Sequence, residues 1–176
     1  MKVTKKQAAI AQLETAIYLY FFDVDPISVH TLACASGEAL DGICREKNVI
    51  SSWQILMNMV IPEFRKEITD SLRESFNFFK HGSRPLGSVN FTDDQNLFYL
   101  FRACYNATSL SVDFQRITVF MTWLMAAVPE WLKVSTVPPG IIKSTYGDIA
   151  HLSRDVQKKS GKYLIVATSL SSFEGE

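Results

Sequence analysis

In the stretch "RESFNFFKHGSRP", Arg73, Asn77 and His81 stand at positions i, i+4 and i+8. On an α-helix that spacing places the three side chains nearly above one another. They present a guanidinium fork, an amide and an imidazole, with Lys80 beside them and Arg84 just beyond. This is the chemistry of a phosphate or carboxylate reader. Arginine holds an oxyanion bidentately, lysine acts as a point charge, and histidine exchanges a proton near neutral pH. The first use of such a face is to bind an anionic partner: RNA, a nucleotide or a phosphate group. The alternative is an enzyme for phosphoryl transfer or RNA cleavage, with His81 as general acid/base and Arg73, Lys80 and Arg84 stabilising charge. A third reading needs no ligand. Basic residues in a last helical turn are favoured by the helix dipole and its free carbonyls, and the chain is then a protein-interaction module.

A second polar set lies upstream. His30, Glu38 and Asp41, with Cys34, fall on or beside one face of another helical stretch. Helical bundles hold metals through His and carboxylates, but the strong form is a Glu-x-x-His repeated on two helices. No such repeat is present, nor a tight His or Cys pair of the kind zinc requires. The expectation is a buried His30 hydrogen-bonded to a carboxylate or carbonyl, with no metal and no cofactor. If His30, Glu38 or Asp41 faces the helix of Arg73, the two sets form one pocket. Nucleotide-binding glycine loops and the G-x-S-x-G turn are missing, and Ser36 and Ser71 have no histidine partner in sequence.

The segment "FNFFKHG" (Phe76 to Gly82) resembles the short motif of HEPN-family helical proteins, many of them nucleases of bacterial toxin–antitoxin and defence systems. In that family an arginine, a polar residue and a histidine four residues later act on RNA across a dimer. Asn77 matches the polar position and His81 the histidine, while Phe76 stands where the family has arginine; Arg73 is the nearest arginine, one turn back. The resemblance therefore implies a non-catalytic helical relative that binds, as a homodimer. The same stretch, with "QLETAIYLYFFDVDPISVHTLACASGEAL", is similar to uncharacterised bacterial proteins with a Lys-His-Ala-Asp-Arg-Asp-Pro-like turn. Lys80, His81, Arg84 and Pro85 of that turn are kept and its acidic residues are lost. This second likeness implies a fold rather than a reaction.

Helices must position these residues. The chain of 176 residues has room for one domain, spanning 1–176, and its 47% hydrophobic and 20% charged content is that of a folded chain rather than a disordered one. Eighteen basic and eighteen acidic residues cancel, so no global field gathers nucleic acid or membrane and any such binding needs a local patch. The lysine groups at Lys2, Lys5, Lys6 and at Lys158, Lys159, Lys162 read as solvated surface. Three cysteines without a C-x-x-C pair fit a reducing, cytoplasmic setting. The N-terminus lacks the apolar core of a signal peptide. The most apolar window, "ITVFMTWLMAAVPEWL", is about 16 residues against roughly 20 for a bilayer span, so no membrane is expected.

Periodicity sets the elements. Thr4 with Gln7 forms a capping-box pattern before Ile10, Leu13, Ile17 and Tyr20. Asp25 with Pro26 opens a second helix running to about Glu46. A short apolar stretch stops at Pro62, and from there an amphipathic helix carries Phe64, Ile68, Leu72 and Phe79 on one stripe. Thr92 with Gln95 reads as another capping box, Ser111 as the start of a further helix, and "STVPPG" as a turn before a last helix of about fifteen residues ending near Gly161. "KYLIVATSL" fits a strand or a helix equally. The expected fold is an all-α bundle of six or seven helices.

Overall fold

Capping side chains set where the first helices begin. Gln7 accepts from the Thr4 backbone amide at 2.9 Å and Thr4 accepts from the Gln7 amide at 3.2 Å, so two orphan donors satisfy one another. Asp25 accepts from the amides of Ile27 and Ser28, with Pro26 in the first turn where its missing N–H costs nothing. Ser51 and Gln54 form a further capping box that starts a short third helix.

The computed structural model describes residues 1–80, 87–132 and 138–171. These residues are all-helical: α1 (Lys5–Phe21), α2 (Pro26–Glu46), α3 (Ser52–Met59), α4 (Arg65–Lys80), α5 (Asp93–Ser109), α6 (Gln115–Ala127), α7 (Pro139–Tyr146) and α8 (Arg154–Ser171), with 3-10 turns at Pro62–Phe64 and Pro129–Leu132. There are thus eight α-helices among the described residues, not six or seven. The additional one arises because the C-terminal segment breaks at Gly147, whose φ of +71° suits glycine and ends α7. The ambiguous "KYLIVATS" is helical and belongs to α8. Ser111 takes a left-handed φ of +53° in a turn, and α6 starts later, at Gln115. Thr92 makes no side-chain cap hydrogen bond; Gln95 instead accepts from the Ser75 hydroxyl on α4 at 3.0 Å.

The chain groups into two compact units: residues 1–20 with 24–112, and residues 21–23 with 113–176. In the first, α2 packs most extensively on α5, and α3 and α4 join the pair. Gly37 on α2 stands close to Ala103 on α5, where a Cβ at position 37 would lie 3.9 Å from the Ala103 methyl, and the small Ala33 and Ala107 are fully buried on the same two helices. In the second unit α6 packs on α7 and α8. Trp123 is fully buried and donates its indole N–H to the Gln157 carbonyl at 2.7 Å. The Phe21 ring stands edge-on to Trp123, with centroids 5.0 Å apart. A Cβ at position 161 would lie 2.1 Å from Phe21 Cε1, so this helical position requires Gly161. Lys158 departs from the expected solvated cluster: it is buried and pairs with Asp23 at 2.8 Å. Among the described residues no helix is long and apolar enough to cross a membrane.

Candidate functional site

The residues singled out in sequence meet along α2, α4 and α5. Glu38 projects from α2 toward α4, where it stands 3.7 Å from the Arg73 guanidinium and 4.0 Å from the Lys80 ammonium. One carboxylate therefore faces two cations. All three side chains are 40–49% exposed, and solvent screens the attraction between them. Lys80 also lies 5.0 Å from the Phe76 ring centre, and Arg73 lies 5.2 Å from that of Trp53 on α3. Asn77 is half-buried on the same helix. His81 and Arg84 lie outside the described residues.

Beside this triad α1, α2 and α4 frame an open groove of about 580 Å³. Ala8, Ala9, Ala35 and Ala39 keep it clear of bulky side chains, and Lys5, Gln12, Glu38 and Lys80 bring polar groups to it. Two cations, Arg73 and Lys80, thus share the Glu38 carboxylate, and Lys5 lines the same groove as Glu38 and Lys80. That surplus of positive charge is what an anion would meet.

Asp41, one turn beyond Glu38 on α2, serves a different arrangement. Its Oδ2 accepts from Arg102 at 2.8 Å and its Oδ1 from the Asn106 amide at 2.7 Å. Asn106 in turn accepts from the Ser52 backbone amide at 2.8 Å, which ties α3 to α5. The Arg102 guanidinium lies 4.6 Å from the Trp53 ring centre. Burial pulls the Arg102 pKa down, and the adjacent Asp41 charge opposes that shift. This is a buried, hydrogen-bonded ion pair within the core.

His30 has no solvent exposure. Asn96 donates through its amide nitrogen to the Pro26 carbonyl at 3.0 Å and to Asp93 at 2.8 Å. Its amide oxygen is therefore the acceptor toward His30 Nδ1 at 3.1 Å, and Nδ1 carries the proton. The expected bond to a carbonyl is made, to a side-chain amide. Phe79, Phe91 and Tyr99 stand edge-on around the imidazole with centroids 5.7, 5.1 and 4.8 Å away. Desolvation lowers the His30 pKa, partly offset by the Asn96 bond, so the ring is neutral at pH 7. Burial raises the Cys34 and Tyr99 pKa values far above neutrality and holds both groups protonated. Neither is an activated nucleophile. Among the described residues no three His, Cys, Asp or Glu side chains gather to hold a metal ion.

Of the two predicted sets, Glu38 joins Arg73 and Lys80, while Asp41 and His30 turn to α5. Sequence reasoning missed Lys5, Trp53 and the α5 partners. The latter had a signal: Asn96, Tyr99, Arg102 and Asn106 recur at spacings of three, three and four inside an apolar helix, which marks a polar stripe facing a core. No family model, curated protein or solved structure matches this chain.

Proposed function

We propose that the α1–α2–α4 groove binds an anionic, phosphate-bearing ligand, RNA being its macromolecular form, and that Arg73 and Lys80 are the primary contacts. The observation that carries this reading is the sharing of Glu38 between those two half-exposed cations at 3.7 and 4.0 Å, with Glu38 and Lys80 lining a groove that also receives Lys5. A phosphate offers each cation a better-charged acceptor than half of one carboxylate, at small cost in desolvation. The resemblance of Asn77-x-x-x-His81 to HEPN proteins supports the same ligand class, and Phe76 in the arginine position favours binding over turnover.

Fluorescence anisotropy of a labelled mixed-sequence single-stranded RNA, read across a salt series, tests this. The Arg73→Ala/Lys80→Ala variant is expected to bind weakly, with a log–log salt slope shallower by about 1.4, roughly 0.7 for each charge removed. Competition by a mononucleotide or inorganic phosphate separates a small-ligand site from a strand-binding one. Equal binding by wild type and variant overturns the proposal. The RNA is run on a gel afterwards: shortening by the wild type that is lost in His81→Ala would replace the binding reading with the enzymatic one.

A further inference from the structure

The start of α4, with the 3-10 turn before it, carries an exposed apolar face. Phe64 and Ile68 are 53% and 37% exposed, and Ile61, just before the helix, is 62% exposed. Further along the same helix Ser75 and Phe76 are buried, so only the first two turns of the stripe are left open. Contiguous exposed apolar surface of this kind marks an interaction site rather than scattered surface hydrophobes. Phe64, Ile68 and Leu72 recur every fourth residue, and with Glu67 and Ser71 they line an open groove of about 360 Å³. The groove is bordered by acid. Glu67 and Glu74, seven residues apart, share one edge of α4, Glu63 lies in the 3-10 turn just before it, and all three are exposed. Among the described residues no cation pairs with them: Lys66 is engaged by Asp70, and Arg65 donates to the Val60 carbonyl at 3.2 Å.

We propose that this face docks a basic amphipathic helix of another protein, with apolar residues at i, i+3 or i+4 and i+7 seated along Phe64, Ile68 and Leu72 and lysines or arginines over the glutamate edge. The charge of that edge decides the occupant. In a two-fold antiparallel pairing of α4 with a second copy, each flank of the helix meets the same flank of its mate. The glutamates would then oppose one another, and like charges so placed are repelled. A basic helix meets both the apolar stripe and its acidic border.

The probes are two synthetic helical peptides of about 14 residues, or four turns, with leucines at i, i+3, i+4 and i+7. One carries lysines on its flanks, and the other carries glutamates at the same positions. At low salt the full chain is expected to bind the lysine peptide at least about tenfold more tightly than the glutamate peptide. Glu63→Lys/Glu67→Lys/Glu74→Lys, which leaves the apolar side chains Phe64, Ile68 and Leu72 in place, should reverse the preference. Phe64→Asp/Ile68→Asp should bind neither; because it adds negative charge, a merely electrostatic attachment of the lysine peptide would strengthen instead. Both variants change exposed positions, and far-UV circular dichroism checks that the helices persist. Equal binding of the two peptides, or none of either, overturns the proposal. So does sedimentation showing a wild-type dimer that Phe64→Asp/Ile68→Asp turns into a monomer while the lysine peptide stays unbound. That result would give the face to a second copy.

Discussion

Asp41 and Glu38 stand one turn apart on α2, and each faces an arginine that also lies against Trp53. The groups are chemically the same, yet the two pairs sit in different environments. Asp41 and Arg102 have side chains only 11% and 9% exposed, and Asn106 takes the second carboxylate oxygen. Glu38 and Arg73 are 40% and 43% exposed at 3.7 Å, with Lys80 at 4.0 Å from the second oxygen. In the first pair the acceptors are filled and water is excluded, so exchange for a ligand would strand a buried charge. In the second, one carboxylate faces two cations and solvent enters, so the proposed anion would compete with Glu38 at little desolvation cost. Burial, not residue type, separates the two pairs.

The contrast breaks first at Asp41. Replacing it with alanine leaves the Arg102 charge and the Asn106 amide unpartnered in the core, and removal of one partner from a buried pair costs about 3–5 kcal/mol. Urea unfolding of Asp41→Ala should show a loss of that size with an unchanged m-value. A loss below about 1 kcal/mol, the range of a surface pair, would erase the distinction between the two arginines.

Trp53 allows a finer comparison, since both guanidiniums approach it. Double-mutant cycles with Trp53→Ala should give a coupling near 2 kcal/mol for the desolvated Arg102, and about 0.5–1 kcal/mol for the half-exposed Arg73. Equal couplings would mean that burial does not set the difference.

Much of the framework was legible because it rests on local chemistry. The Thr4–Gln7 box and the Asp25–Pro26 start depend on residues within a turn of one another, and they form as the spacing implies. Thr92–Gln95 has the same spacing and fails, because Ser75 on another helix takes the Gln95 side chain. The site divides in the same way. Arg73 and Lys80 could be found on one helix, but their carboxylate comes from α2, and sequence spacing carries no information on pairing between helices. Lys158 shows the converse: a lysine in a basic run is buried because Asp23, far away in sequence, meets it.

His30 gives the third test, smaller in effect and specific to pH. Its pKa is lowered in the fold from the ordinary 6.5. Above that value both folded and unfolded chains hold a neutral imidazole, and the group contributes no pH dependence. As the pH falls through it, the unfolded chain takes up a proton that the buried ring resists. Stability therefore declines toward acid, down to the folded pKa. The urea midpoint should drop as the pH falls below the ordinary 6.5, and His30→Gln, which keeps an amide donor for Asn96 but cannot titrate, should reduce the drop. An unchanged drop would place the acid sensitivity elsewhere.

The smallest change in stability should accompany the most informative change in binding. Glu38→Gln removes the shared carboxylate charge while keeping a side chain of similar shape. Because both of its ion pairs are long and half-exposed, the loss of stability should stay under about 1 kcal/mol. Arg73 and Lys80 then lose the carboxylate they share, so RNA affinity at low salt should rise. The salt slope should steepen as cations formerly neutralised by Glu38 become available to phosphate, by up to about 0.7 for one charge. Asp41→Asn should produce no such rise, since Arg102 lies in the core. If Glu38→Gln weakens RNA binding while the fold is intact, the carboxylate positions Arg73 and Lys80 rather than competing for them. The half-exposed pair would then be as structural as the buried one, and the distinction drawn on α2 would fail at its most exposed residue.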